Sequence, residues 1–266
     1  MNRRPFFSVI VPTHKRAPLL RRALTSIKAQ GPQNMCEVIV VSDATDVDTD
    51  HVCAELLGDN DAYLRRGGPP GPSQSRNLAL SQARGTYVLF LDDDDAWHPH
   101  LLENLRAQAP VQQGNPVYFD CTTISERRPP GGPQQLAEMN LNLLGRLTDE
   151  VYVKNQVHMS CYAFPRQVLE GVSFDPFMRA YEDWDFLLSV FDRQMPEHVA
   201  ILGSRVFEVP DETTDRRGSS PKANDFNAVL DYLYVYHRHP APRPELRQMR
   251  ARLLQTCGVS VPPDML

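Results

Sequence analysis

Gly85-Thr86-Tyr87-Val88-Leu89-Phe90-Leu91-Asp92-Asp93-Asp94-Asp95-Ala96-Trp97 runs from apolar residues directly into acid. Tyr87 to Leu91 are five consecutive apolar or aromatic residues, the pattern of a strand buried on both faces, and four carboxylates follow at its C-terminal end. In an open α/β sheet, ligands sit in the crevice outside the carboxyl ends of the strands. Four adjacent like charges repel unless compensated, and a divalent cation that prefers oxygen compensates them best. A phosphate ester is the natural substrate for such a cation. Taken alone, the same run also reads as a solvated acidic turn capping a helix that starts near Pro99. The flanking chain separates the two readings.

A chain of 266 residues can bury a full core and fits one large domain, or one domain with an appendage. Its formal net charge of −5, with signs interspersed, lacks the basic face a nucleic-acid partner requires. The five cysteines, Cys36, Cys53, Cys121, Cys161 and Cys257, are odd in number and have no CxxC spacing. That pattern points to reduced thiols and a cytoplasmic location, and away from a disulfide framework or a zinc site. The apolar run 6–11 is too short for the core of a signal peptide, and no run approaches the ~20 apolar residues of a membrane span. The expectation is a soluble protein without a transmembrane segment, peripheral membrane association remaining open.

Taken in order, residues 6–11 and 37–43 read as buried strands, the second also ending in an acid, with a helix over 17–30 between them. Two strands joined by a helix make a βαβ unit and hence a parallel sheet. A helix over 48–57, a short strand over 62–65, a glycine- and proline-rich loop over 67–72 and a helix over 73–84 follow, with Gly85 as that helix's cap. Beyond the acid run the pattern predicts a helix over 97–108, a strand over 116–124, a surface loop over 125–135, a short helix over 136–144 and a short strand over 151–153. It then predicts a strand over 160–164, a helical turn over 165–170, a helix over 181–192 opened by acids, strands over 199–202 and 205–209, a polar loop over 211–220 and two C-terminal helices.

Five segments in this order carry a resemblance. They are Ser8-Val9-Ile10-Val11-Pro12-Thr13-His14-Lys15-Arg16, Glu37-Val38-Ile39-Val40-Val41-Ser42-Asp43, Gly71-Pro72-Ser73-Gln74-Ser75-Arg76-Asn77, Phe90-Leu91-Asp92-Asp93-Asp94-Asp95 and Tyr181-Glu182-Asp183-Trp184-Asp185. Over roughly residues 7–220 the chain resembles the GT-A fold, inverting glycosyltransferases of family 2. A Rossmann dehydrogenase is disfavoured because no GxGxxG turn follows the first strand. The resemblance implies an α/β fold, a Rossmann-like mixed sheet flanked by helices. Residues 1–220 would form the glycosyltransferase domain, 1–120 its nucleotide-sugar half and 121–220 its acceptor half, with 221–266 a helical extension.

Each segment also has a chemical reading of its own. Thr13 and His14 sit at a sheet edge, where an amide can meet a base and a ring can stack on it; His14 alone reads equally as an exposed loop residue. Asp43 can accept a base N–H or cap the following turn. Arg76 can reach a base or diphosphate, or pair with one of the four aspartates. The resemblance places Pro12, Thr13, His14, Arg16, Asp43, Arg76, Asp92 and Asp93 at the nucleotide-sugar, and Asp94 with Asp92 at Mn²⁺ or Mg²⁺ in the family's DXD motif. It makes Asp183 the base that deprotonates the acceptor hydroxyl, with Glu182 beside it; Trp184 and Tyr181 are acceptor-platform or core residues, and His158 faces the acceptor or is a satisfied buried histidine. One departure stands out: the 211–220 loop carries no histidine, where many metal-dependent relatives have a further ligand, and Asp211, Glu212, Arg216 or Arg217 could compensate.

The implied activity is transfer of a sugar, most simply from a UDP-sugar, to a saccharide or lipid-linked saccharide of a surface-polysaccharide pathway. A sugar-nucleotidyltransferase would need a glycine-rich signature after the first strand, which Pro12-Thr13-His14-Lys15-Arg16 does not supply. A non-catalytic nucleotide-sugar or glycan binder would have no use for the Glu182-Asp183 pair.

Overall fold

The structure is a computed structural model and describes residues 4–31, 35–129, 132–210 and 226–266. Seven consecutive buried residues form strand β1 (Phe7–Thr13), the centre of the N-terminal sheet. Strands β2 (Cys36–Ser42) and β4 (Tyr87–Phe90) flank it, both parallel to it, and β3 (Ala62–Arg65) lies parallel outside β2. The crossovers are helices α1 (Ala17–Lys28), α2 (Val47–Leu56) and α3 (Pro72–Gln82). Helix α1 buries Ala17, Leu20, Ala23, Leu24 and Ile27 on the sheet, the one-faced spacing read in the sequence.

The rest of the sheet is mixed. Short strand β5 (Ala96–Trp97) follows the acid run, then helices α4 (Leu101–Arg106) and α5 (Ala109–Gln112). Strands β6 (Val117–Arg127), β7 (Gln134–Leu141), β8 (Tyr162–Pro165) and β9 (Glu197–Glu208) complete it. Strand β8 is antiparallel to both β4 and β6, and so joins the parallel half to the rest. Among the described residues the order is β3-β2-β1-β4-β8-β6-β9-β5, with β7 paired to β6. The predicted α/β class, with a mixed sheet flanked by helices, is the observed one.

Several boundaries differ from the sequence reading, most of them because long-range pairing overrides local propensity. Residues 136–144, rich in helix formers, mostly belong to the exposed strand β7, which pairs with β6. The expected loop over 125–135 is shortened because β6 runs on to Arg127. The short strand expected at 151–153 is a 3₁₀ turn, Asp149–Tyr152. Trp97 pairs with Ser204 on β9, so the helix expected from 97 begins at Leu101. The two late strands are one, β9, whose register against β6 shifts around Asp120. The 211–220 loop lies outside the described residues.

Gly85 has a different role from a cap. Its φ is not positive, and a Cβ there would lie 2.5 Å from the Ser8 backbone nitrogen, so glycine is what lets the turn into β4 pass against β1. The buried Ser8 hydroxyl accepts from the Gly85 N–H at 2.7 Å and donates to Glu37 Oε1 at 2.6 Å, tying β1, β2 and this turn together.

Helix α6 (Glu182–Phe191) is set against the end of β4 by aromatic packing. Phe186 stacks on Phe174 at 3.9 Å, and Phe90, two residues before the acid run, meets both rings edge-on. This packing brings the first turn of α6 beside Asp92. The C-terminal helix α7 (Phe226–Arg238) packs against its other side, and α8 (Pro244–Thr256) follows it, Arg250 of α8 donating to the Tyr236 and His239 carbonyls. Trp184 meets Tyr232 and Tyr236 of α7 edge-on, and fully buried Asp185 accepts from Arg238 Nε at 2.7 Å and pairs with His239 Nε2 at 2.9 Å.

Burial pushes the Asp185 carboxyl up, but His239 and Arg238 outweigh it and hold it below the usual carboxylate range. A carboxylate with a depressed folded-state pKa contributes stability that is present above its unfolded pKa and lost as pH falls through the folded one. Asp185→Ala should therefore lower unfolding free energy near neutral pH by about 2–3 kcal/mol, allowing for solvent screening at half-exposed Arg238. The gap to the unaltered chain should narrow below about pH 4, as urea denaturation at several pH values would reveal.

Candidate active site

The C-terminal ends of β1, β2 and β4 and the N-terminus of α6 open onto one cleft of about 950 Å³. Of the residues singled out from the sequence, Pro12, Thr13, His14, Arg16, Asp43, Arg76, Asp92, Asp93, Asp94, His158, Tyr181, Glu182, Asp183 and Trp184 line it, while Asp211, Glu212, Arg216 and Arg217 lie outside the described residues. Asp95, Arg128 and Lys154 join them.

At one end Asp43 anchors a small network. Its Oδ1 meets His14 Nδ1 at 2.5 Å, and its Oδ2 accepts the Gly71 N–H at 2.6 Å and Arg66 Nη2 at 3.4 Å. The cap of α2 is instead Asp46, which accepts from the Thr49 N–H. Asp43 therefore holds the imidazole of His14 and the loop before α3 together at the cleft's edge.

In the middle the acid run makes a tight turn, with the Asp95 N–H bonded to the Asp92 carbonyl at 3.0 Å. The four carboxylates then separate by partner. Asp92 accepts from Arg76 Nη2 at 2.6 Å, and the same buried guanidinium reaches Glu182 Oε1 at 3.1 Å, so Arg76 realises the acid-pairing alternative. Asp93 accepts from Thr13 Oγ1 at 2.7 Å and Arg16 at 3.2 Å. Asp94 Oδ2 is met by Arg16 at 3.4 Å and Arg128 at 3.2 Å. Buried Glu126 holds Arg128 and Arg22 at 2.7 Å each, and Arg22 also donates to the Asp94 carbonyl. Asp95 Oδ1 accepts from the Phe207 N–H of β9 at 3.0 Å.

These partners set the charge states. Burial pushes the Asp93 carboxyl up to about 6 against the opposing pull of Arg16, and the Asp95 carboxyl up to about 7 against that of His158. Burial also acts on Asp92, but Arg76, His158 and Arg16 outweigh it and hold its carboxyl below the usual range. The His158 imidazole is raised because Asp95, Asp92 and Asp183 outweigh its burial. Burial raises the Glu182 carboxyl despite Arg76.

Asp92, Asp95 and His158 each bring a ligand atom within 4.8 Å of the others. Buried Asp95 Oδ2 accepts no hydrogen bond, and His158 Nδ1 stands 3.6 Å from it. Two carboxylates and an imidazole around an unmatched buried oxygen fit a divalent cation. The sequence reading had left Asp95 without a role and had assigned Arg128 to a surface loop; the extension of β6 brings Arg128 to the cleft. Of the two readings of Trp184, acceptor platform or core, the geometry favours core: its indole is fully buried and its N–H donates to the Val151 carbonyl at 2.7 Å. Half-buried Tyr181, whose ring packs on Tyr232 at 4.8 Å, remains at the cleft wall.

The family model described as glycosyl transferase family 2 matches residues 8–167, the segment from β1 to the turn after β8. The chain belongs to glycosyl transferase family 2. A relative from Campylobacter jejuni, GalNAc(5)-diNAcBac-PP-undecaprenol beta-1,3-glucosyltransferase, is 39% identical over 108 residues, covering 40% of this chain and 35% of that protein. The uncharacterized glycosyltransferase EpsJ of Bacillus subtilis is 27% identical over 222 residues, covering 79% of this chain and 63% of its own length. The chain thus spans between about one third and two thirds of these two relatives. Among solved structures, Staphylococcus aureus TarS in complex with UDP-GlcNAc superposes with a TM-score of 0.65 at 22% identity, covering 94% of this chain and 72% of that one. A mannosyltransferase from Pyrobaculum calidifontis in complex with GDP-Man and Mn²⁺ gives a TM-score of 0.56 at 19% identity, covering 98% of this chain and 78% of that one. Both likenesses establish the fold, GT-A in type.

Arg76 is shared between the acid run and α6, so Arg76→Met would leave Asp92 and Glu182 partly buried without this counter-charge. The expected loss is about 3–5 kcal/mol of unfolding free energy near neutral pH, measured by chemical denaturation.

Proposed function

We propose that this family 2 protein transfers a sugar, with inversion, from a nucleotide-sugar, most simply a UDP-sugar, to a hydroxyl of a saccharide or lipid-linked saccharide. The observation that carries the reading is the convergence of Asp43, the 92–95 acid run and Asp183 on one cleft. The base of the donor would lie at the His14 and Asp43 edge, where a carboxylate can accept an imide N–H and an anchored ring can stack. The diphosphate would face Arg16, Arg128 and Lys154, which line the same cleft. When bound, a divalent cation neutralises the departing nucleoside diphosphate; Mn²⁺ beside GDP-Man in the Pyrobaculum enzyme supports this, with Mg²⁺ the other candidate.

Asp183 would take the proton from the acceptor hydroxyl as that oxygen attacks the anomeric carbon from the face opposite the diphosphate. Glu182 is engaged by Arg76 and is better suited to orienting than to proton transfer. Asp183, one residue on, lies in the first turn of α6 and lines the same cleft. The lipid-linked acceptor is suggested by the undecaprenol compound in the Campylobacter relative's name, and with it a role in surface-polysaccharide assembly. No helix among the described residues is long and apolar enough to cross a membrane; the site of action in this reading is the cytoplasm, at a membrane surface. We assign residues 1–120 to the donor half, 121–220 to the acceptor half and 221–266 to the helical extension.

The test is release of UDP from a panel of UDP-sugars with Mn²⁺, first with water and then with saccharide acceptors. Asp183→Asn should lower kcat by about 10²–10⁴-fold while leaving UDP affinity, read by calorimetry, near that of the unaltered chain. Turnover by Asp183→Asn at full speed would remove the base; no turnover and no binding with any nucleotide-sugar would remove the reading itself.

A further inference from the structure

We infer that Tyr181 forms the acceptor wall of the cleft, a flat ring that takes one face of a pyranose, and that Tyr232 of the C-terminal helix α7 is the positioning residue that holds it there. The inference deepens the proposed function and rests on it for the reaction. It adds the class of acceptor and gives α7 a part in choosing it. Both tyrosines lie beyond the segment 8–167 that the family model matches, so they belong to this chain's own elaboration of the site.

The backbone at Tyr181 is unusual in two ways. It stands at φ 62° and ψ 20°, in the left-handed region, which a bulky aromatic side chain adopts only under constraint. It also occupies the N-cap position of α6 and makes no side-chain cap there. Glycine would take this backbone without strain, and Ser, Asp or Asn would supply the missing cap. A position that forgoes both advantages is kept for its ring.

Helix α7 is what overrides the strain. The Tyr181 ring lies on fully buried Tyr232 at 4.8 Å and meets Trp184 edge-on at 6.0 Å. The chain leading to it is tied to the same helix, because Arg179 Nη2 donates to Asp231 at 3.0 Å and Tyr234 Oη donates to Asp175 Oδ2 at 2.7 Å. The ring is therefore fixed from behind, while its half-buried side lines the cleft.

Asp183 lines that cleft from the same turn, its Oδ1 accepting from the Trp184 N–H at 2.8 Å. A pyranose laid on the Tyr181 ring keeps its C–H face on apolar surface and its edge hydroxyls in the cleft that holds Asp183. A rigid phenol ring supplies this contact at little cost in side-chain entropy. An open-chain polyol has no such flat C–H face.

The experiment is saturation-transfer NMR on the full chain with UDP and Mn²⁺. The probes are the methyl pyranosides of glucose, galactose and N-acetylglucosamine, with ribitol as the open-chain control. The unaltered protein should pass saturation to the C–H groups of one ring face of at least one pyranoside and none to ribitol, a readout that needs no variant. Tyr181→Gly, which relieves the backbone, should melt close to the unaltered chain and keep its UDP affinity, yet lose the face selectivity and bind the pyranoside about 5- to 10-fold more weakly. Tyr232→Ala should weaken binding likewise, and Tyr232→Phe, which keeps the ring, should restore it. Absence of pyranoside binding by the unaltered chain, ribitol bound as well as any pyranoside, or a face pattern that survives Tyr181→Gly overturns the wall. Tyr232→Phe as impaired as Tyr232→Ala overturns the part given to α7. Face-selective binding with no turnover of any UDP-sugar would leave the wall standing and remove the proposed function; turnover without face-selective binding would do the reverse.

Discussion

A buried guanidinium between two carboxylates holds the cleft in shape. Arg76 leaves the first turns of α3, reaches Asp92 at the end of β4 and Glu182 at the start of α6, and lies over the ring of Phe174 at 5.3 Å. Three elements distant in sequence are thereby locked at the point where donor and acceptor would meet. Burying this much charge is tolerable only because each partner is matched, and the match is geometric as well as electrostatic. The aromatic packing of Phe90, Phe174 and Phe186 places α6 within reach; Arg76 then fixes its angle.

The four consecutive aspartates illustrate how backbone geometry divides a uniform sequence. Asp92 and Asp93 go to Arg76 and Thr13, Asp94 to Arg16 and Arg128, and Asp95 to the backbone of β9. Burial raises two of the four carboxyls and a neighbouring guanidinium lowers one, so residues of identical chemistry acquire different proton affinities within a single turn. The cations are themselves held: Glu126 grips Arg22 and Arg128, and Arg22 lies over Phe207 at 3.5 Å. Donor phosphates entering the cleft would meet a charge lattice already assembled, which lowers the reorganisation needed at the moment of reaction.

Much of this was legible from the chain. The parallel half follows from apolar runs broken by helical spacing, because a strand buried on both faces admits few polar residues. The ordered motifs supplied many of the residues that line the cleft, among them Thr13, Asp43, Arg76, Asp92 and Asp183. Less legible were Arg128, Glu126 and Asp95, whose importance comes from partners dozens of residues away: the Arg22 and Glu126 pair spans 104 positions. Trp184 was ambiguous in sequence, since an aromatic at a helix start suits a sugar platform and a core equally well.

By itself, then, the sequence determined the α/β class, the parallel character of the sheet's first half and the acid-bearing strand ends, all properties carried by local periodicity and composition. Tertiary structure alone decided that 136–144 is mostly strand, that β6 delivers Arg128 to the cleft, that Trp184 is core and that His158 meets Asp95. The physical reason is that these outcomes depend on which surfaces remain unpaired after the sheet closes. A hydrogen-bonding edge or a buried unmatched oxygen exists only once distant segments have come together.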